Sequence, residues 1–505
     1  MAGLRGRILS GATYGAVALV LGTMVNLGAT PYFVRHLGKD GYSAFLLLSS
    51  CIAFANLLAL GAHEAVLYYL AKPRDDAWQR SAEALAGLFT LGGALGAVIW
   101  ALAWAGFPSW VAYSGHIEPV LALALSQGIG AAGLLWVAQH FTQASWAFYR
   151  ARLRLAEVGW MMILTATLPV LAAAGAIYAG AGVNGFFLAQ AAAWALVGLI
   201  AIGMAVRGPE ALKVLPRWYK AELSESLGYA RWAFFLQVGF TVQSYGDRFL
   251  AAPLGSAALS VYGLGSSLSL RIVAALGLVS TLVVPAISKV HAEHGMDRAG
   301  RAHGLALRST FWVGAAFFVP LAAGGSTLLG RWVDPSMEAG SQGWFIWVCV
   351  GGFWAALVGS IQGTLLGLGR ARVVALTSLL GLAAGALVAW ALRSQGLWAV
   401  ASFGAVASGV SLLTKAAWLH GRVLQRVRFG EVLCASVLVF GLGWALHRSE
   451  WAALLGPGLL RCLVALGLAS LLILGIGALW DSLLSRRSDR DSLISILLQR
   501  WHRRA

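Results

Sequence analysis

Charge is scarce in this 505-residue chain: only 11% of its residues are Asp, Glu, Lys or Arg, against about 25% in soluble domains. That deficit excludes a soluble globular fold. It excludes disorder as well, because disordered chains are polar and this one is 59% hydrophobic before its 62 glycines are counted. Cysteine is scarce too, and four of them cannot form a disulfide scaffold for this length. The sequence holds no G-x-x-x-x-G-K-[ST] nucleotide loop, no H-E-x-x-H pair and no Cys/His ligand spacing. Transport driven by ATP bound to this chain and metal catalysis are therefore disfavoured. No cofactor and no metal is expected, and nothing marks an enzyme.

What the chain has in abundance is long apolar runs. A spanning helix needs about 20 mostly apolar residues, and such runs occupy 8–34, 42–70, 81–106, 118–147, 157–179, 184–206, 225–251, 258–288, 305–330, 343–368, 373–394, 397–419, 430–447 and 457–480. The fold class is thus an all-α polytopic membrane protein with about fourteen transmembrane helices. Cys51, Cys349, Cys434 and Cys462 all lie within these runs, as small packing residues.

In a soluble chain a net charge of +17 would suggest nucleic acid, but here the placement of the charges decides. Alternate connections collect 28 of the 37 basic residues on one side, among them Lys72, Arg74, Arg80, Arg150, Arg152, Arg154 and Lys415, and leave six on the other. The positive-inside rule then puts both termini in the cytoplasm, with membrane lipids rather than nucleic acid around the chain. The first apolar stretch is too long for a signal-peptide core, so it reads as a retained helix. The tail 481–505, with Leu493, Ile496, Leu497 and Trp501 beside Arg500, Arg503 and Arg504, reads either as a basic amphipathic helix on the anionic leaflet or as a frayed terminus.

An internal repeat emerges when the halves are overlaid. Gly11 and Leu37-Gly38 match Gly228 and Leu254-Gly255 at an offset of 217; Tyr42 matches Tyr262, and Arg150-Ala151-Arg152 matches Arg370-Ala371-Arg372, at an offset of 220. The expected organisation is an N-terminal six-helix bundle over 1–206, a cytoplasmic linker over 207–224 and a C-terminal six-helix bundle over 225–420. Two additional helices within 421–480 and the tail 481–505 complete it. Six crossings return the chain to its starting side, so the two bundles are parallel repeats, a recognised transporter plan.

Polar residues inside the runs are costly unless they meet a partner or a cavity. Gln237, Thr241, Ser244 and Arg248 follow one another at steps of four, three and four, with Arg231 before them and Asp247 beside the last. Arg271 lies near the middle of 258–288, too central to reach either interface, which makes it the first candidate for an anion contact. Arg231 and Arg248 lie near helix ends, where a long side chain can also reach the interface, so for them both readings stand. Asn56 and His63 share a stripe of sevens, Glu64 adjoins His63, and His140 lies in 118–147. Asn56, His63, Gln237 and Thr241 are expected to line a substrate path, and Glu64, Asp247 and His140 are candidates for ion coupling. A net cationic cavity favours an anion over an organic cation, and the planar Arg fork suits phosphate oxygens.

The stretch Pro31-Tyr32-Phe33-Val34-Arg35-His36-Leu37-Gly38-Lys39-Asp40-Gly41-Tyr42 resembles the opening of polysaccharide biosynthesis flippases. So do Asp247-Arg248-Phe249-Leu250, Val261-Tyr262-Gly263 and Val284-Pro285-Ala286-Ile287-Ser288. The resemblance, over roughly 8–420, is to Wzx-type lipid-linked oligosaccharide flippases of the multidrug/oligosaccharidyl-lipid/polysaccharide exporter superfamily. It implies a V-shaped pair of six-helix bundles in a bacterial inner membrane, moving a polyprenyl pyrophosphate-linked glycan from the cytoplasmic to the periplasmic leaflet by alternating access through a cationic central cavity. It also implies dependence on an ion gradient, H+ or Na+, and partnership with a polysaccharide polymerase and glycosyltransferases. The serine-arginine-rich first helix of lipid II flippases is absent, since no Arg falls between Arg7 and Arg35. The alternatives are a lipid II flippase, a drug/ion antiporter of the same superfamily, or a non-transporting scaffold for polysaccharide assembly.

Overall fold

The computed structural model describes residues 2–59, 76–114, 117–151, 154–207, 216–217, 219–422, 441 and 459–485, and no strand occurs among them. In chain order the helices are α1 (Ala2–Ala55), continued by a 3-10 turn over Asn56–Ala59, then α2 (Asp76–Ser114), α3 (Pro119–Ala151), α4 (Leu155–Tyr178), α5 (Gly182–Arg207) and α6 (Lys220–Ala251). They continue as α7 (Ser256–Trp332), α8 (Pro335–Ser341), α9 (Phe345–Gly367), α10 (Ala371–Ala391), α11 (Leu397–Arg422) and α12 (Leu459–Ser485). Among the described residues eleven stretches are long and apolar enough to cross a membrane. This is an all-α, multi-pass membrane protein.

The difference from fourteen has three sources. Segments 8–34 and 42–70 follow one another without a loop and count as one stretch, Thr13–Ala59, although the non-helical backbone of Gly38 divides it into two helices. Segment 430–447, apart from residue 441, lies outside the described residues, as does the tail from 486. Segment 225–251 is helical as expected but too polar to qualify, since Arg231, Gln237, Gln243, Ser244, Asp247 and Arg248 all fall within it. A helix of that polarity must keep its charged positions away from lipid.

Gly38 and Gly255, a matched pair of the repeat, have the same unusual backbone. Gly38 has φ 67° and ψ 178°, and Gly255 has φ 96° and ψ 165°. Only glycine adopts this region without strain, and each Leu-Gly step lets one helix stop and another start at once. Tyr42 and Tyr262 on the following helices are both buried.

The chain divides into two compact units, 1–263 and 264–505, so α6 and the first two turns of α7 belong to the first. In the first unit α3 and α4 pack on α5, and α1 packs on α4. Lipid supplies no hydrophobic drive between helices, so close approach of small residues must hold them together. Gly22 lies against Ala166, and Gly96 under the Trp136 ring. Phe186 receives Phe33 and Phe45 edge-on, at centroid distances of 5.1 and 4.9 Å, the arrangement that ring quadrupoles favour. In the second unit α9 and α10 both pack on α11, with Gly351 against the Ala405 backbone and Gly381 and Gly385 against the carbonyls of Ala407 and Phe403. The α3–α5 and α4–α5 pairings thus recur as α9–α11 and α10–α11. α12 seats Gly477 on Trp312 of α7 and leaves Leu463, Val464, Leu468, Leu471 and Leu472 exposed, as a lipid-facing helix should.

Candidate functional site

The polar residues of the first unit gather where α6 ends and α7 begins. Along α6 the expected stripe is progressively covered: Gln237 is exposed, Ser244 half-buried, and Thr241 and Arg248 are 2% and 4% exposed. Burying a guanidinium requires hydrogen-bonding partners and offsetting charge. Arg248 donates from Nη1 to Ser50 Oγ on α1 at 3.4 Å, and its guanidinium lies 5.2 Å from the centre of the Tyr245 ring, within cation–π range. The neighbouring carboxylate, Asp247, is 6% exposed and accepts a hydrogen bond at Oδ2 from the Tyr262 hydroxyl at 2.8 Å. Its Oδ1 is buried with no hydrogen-bond partner among the described residues.

A second set of contacts pins the start of α7. Glu118, just before α3, accepts the Ser256 N–H at Oε2, 3.0 Å away, while Ser43 Oγ on α1 donates to the Ser256 carbonyl at 2.7 Å. A carboxylate at a helix N-terminus meets both free N–H groups and the positive end of the helix dipole. The hydrogen bonds from Ser256, backbone first, hold the Glu118 carboxyl below the usual carboxylate range. Gly255 is required here: a Cβ would strike the Glu118 carboxylate.

The remaining sequence candidates are dispersed. Arg231 is exposed, its guanidinium 5.6 Å from the Trp232 ring. Asn56 is half-buried and opens the 3-10 turn after α1. Arg271 is half-buried on α7, in the second unit. His140 is 1% exposed, with Nε2 donating to the Phe89 carbonyl at 2.9 Å and its ring 5.1 Å from that of Trp136. His63 and Glu64 lie outside the described residues. Sequence reasoning missed Ser43, Ser50, Tyr245 and Glu118 as site neighbours and took Tyr262 as a repeat marker and part of a family motif, not as a partner of Asp247; the Asp247–Tyr262 step of fifteen residues, across a helix break, gives no periodic signal.

The described part of the linker is anchored as well. Glu83 on α2 accepts from Gln79 Nε2 at 2.8 Å, from the Tyr219 hydroxyl at 2.9 Å and, through its carbonyl, from the Arg217 N–H at 3.2 Å. These contacts fix the chain just ahead of α6, and with it the helix that carries Arg248.

No family model matches the chain, and no curated protein matches it. Solved structures do. The lipid II flippase MurJ in an inward closed conformation aligns over 95% of this chain and 99% of its own, with a TM-score of 0.70 at 12% identity. The chain shares that fold. A multidrug resistance MATE family transporter of the MOP superfamily, inward-facing, aligns over 80% of this chain and 98% of its own (TM-score 0.64, 14% identity). A Vibrio cholerae MATE transporter aligns over 84% and 99% (TM-score 0.59, 14% identity). At these identities the likeness establishes fold, and the flippase likeness runs over more of the chain than either MATE likeness.

Proposed function

We propose that this protein flips a lipid-linked oligosaccharide, carried on a polyprenyl pyrophosphate, from the cytoplasmic to the periplasmic leaflet of a bacterial inner membrane, for surface polysaccharide assembly. The observation that carries the reading is the covered guanidinium of Arg248 in a helix too polar to face lipid. A charge held there is costly unless it meets a counter-charge such as Asp247, an anion or a cavity, and the planar fork of Arg matches a diphosphate. The diphosphate would bind at the α6 stripe with Thr241, Gln237 and Asn56 lining its approach and Arg231 drawing the head group in. Arg271, in the second unit, is proposed as an anion contact of its own. Alternating access would expose the head group to one leaflet and then the other while the polyprenyl tail stays in lipid. Asp247, His140 and Glu64 are candidates for coupling this to H+ or Na+, with both termini cytoplasmic and the polymerase and glycosyltransferases as partners.

A lipid II substrate is a second reading, favoured by the extent of the MurJ likeness and opposed by the absence of Arg from the first helix between Arg7 and Arg35. Both substrates present the same diphosphate and differ in the glycan. Reconstitution into vesicles with a fluorescent polyprenyl diphosphate glycan tests the shared claim. Wild type should expose the label to an external quencher, and Arg248→Met should lower probe affinity by about ten- to a hundredfold, the worth of a charged hydrogen bond of roughly 1.5–3 kcal/mol. Unchanged affinity and flipping in a folded Arg248→Met protein would remove Arg248 from the site.

A further inference from the structure

Lys415 is counted among the basic loop residues by sequence alone, yet it lies inside α11, four residues before the end of the span Leu397–Leu419. That is about 6 Å along the axis. Its side chain is 0% exposed, and Nζ donates to Ser378 Oγ on α10 at 2.8 Å and to Ser411 Oγ one turn back on α11. Two hydroxyls are all the pocket offers among the described residues, and neither carries charge.

α9 and α10, which pack on α11, supply no carboxylate. No Asp or Glu occurs anywhere between Glu338 and Glu431. α9 contributes one titratable group, Cys349, and α10 contributes Arg372. Arg370, just ahead of α10, sits 5.7 Å from the Trp418 ring, and Arg393 lies beyond the far end of α10 on Trp390. α11 itself adds His420 and Arg422 in its last turn. Among the described residues, the charged side chains carried by or flanking these three helices are therefore cationic.

An ammonium brings three N–H donors and a charge, whereas an amine brings two donors and a lone pair, and two serine hydroxyls can serve either form. What separates the two forms is hydration, because a charge without a counter-ion needs water. Lys415 lies about one turn from the end of its span, so a modest separation of the helix ends would bring water to Nζ. We propose that Lys415 is a proton-binding site that loads and unloads as the α10–α11 pocket opens and closes, and that it couples transport to a proton gradient. In loading, hydronium gives its proton to the Nζ lone pair and leaves as water; unloading returns that proton to a water molecule. The inference rests on the transport reading above and names its coupling residue.

The test uses vesicles holding wild type, Lys415→Met or Lys415→Arg, with the fluorescent polyprenyl diphosphate glycan as probe and an imposed pH gradient. Wild-type flipping should accelerate by about tenfold per pH unit, as for a single-proton step. Lys415→Met should bind the probe with affinity within about twofold yet ignore the gradient, and Lys415→Arg, permanently charged, should ignore it too. Acceleration retained in Lys415→Met, or absent from a wild type that flips the probe, overturns the proposal and leaves the flippase reading standing. If wild type does not flip the probe, the flippase reading fails, and hydrogen exchange decides on Lys415. Protection of α10 and α11, corrected for intrinsic exchange, should then depend on pH in wild type and not in the variant. The same profile in wild type and Lys415→Met overturns the proposal. Lys415→Gln replaces Lys415→Met if the latter does not fold.

Discussion

Gly38 and Gly255 share a backbone that other residues adopt only under strain, but their surroundings differ, which makes them a controlled pair. Around Gly38 a Cβ would meet nothing within 4 Å, whereas at Gly255 it would meet the carboxylate of Glu118. Gly38→Ala should therefore cost only the conformational strain, about 1–3 kcal/mol. Gly255→Ala should cost the same strain plus the loss of the Glu118 contact to Ser256, about 1 kcal/mol as for other N-terminal caps. Because Glu118→Ala removes that contact by itself, the two changes should be less than additive: the double variant should be about 1 kcal/mol more stable than the sum of the singles. Denaturant unfolding of the purified protein in detergent, followed by tryptophan fluorescence, measures the cycle. Equal costs for Gly38→Ala and Gly255→Ala, or strict additivity with Glu118→Ala, would refute the clamp.

Further outcomes follow from the same contacts. Tyr262→Phe strands Oδ2 of the buried Asp247 and should destabilise the protein by about 1–3 kcal/mol, while adding Asp247→Asn should recover part of that loss; unfolding of the single and double variants reads it. The Glu118 carboxyl is held below its ordinary range, so its contribution is fully present above that range and is lost as pH falls through the depressed value. Hydrogen exchange in the first turn of α7, corrected for intrinsic rates, should accelerate below that point and be insensitive to it in Glu118→Ala. Gly96→Ala drives a methyl into the Trp136 ring and should cost about 1–3 kcal/mol by overpacking, measurable as a lowered unfolding midpoint in detergent.

The membrane character and most spans were legible because bilayer thickness imposes a length that composition alone reveals. α6 was less so. Its helix was visible in the sequence, but its polarity registers only as a departure from the apolar rule, and that departure is what singles out its charged positions. Arg248 and Asp247 could be picked out because each costs free energy in a membrane. Ser50 and Tyr262 could not: a serine or tyrosine in an apolar run is unremarkable until another helix brings a charge to it. Lys415 was misassigned for a similar reason. Near a helix end a lysine reads as a loop charge, and only the packing of α10 on α11 shows that its side chain turns inward. The matched Gly38 and Gly255 show the opposite case, in which a two-residue motif reports a backbone conformation directly.

The central claim is recognition of a lipid-linked diphosphate by an arginine-lined site, and native mass spectrometry of the gently purified protein tests it most directly. The account predicts a retained polyprenyl pyrophosphate glycan on wild type that is lost in Arg248→Met and weakened in Arg271→Ala. Retention of ordinary phospholipid alone, identical in all three proteins, would contradict it.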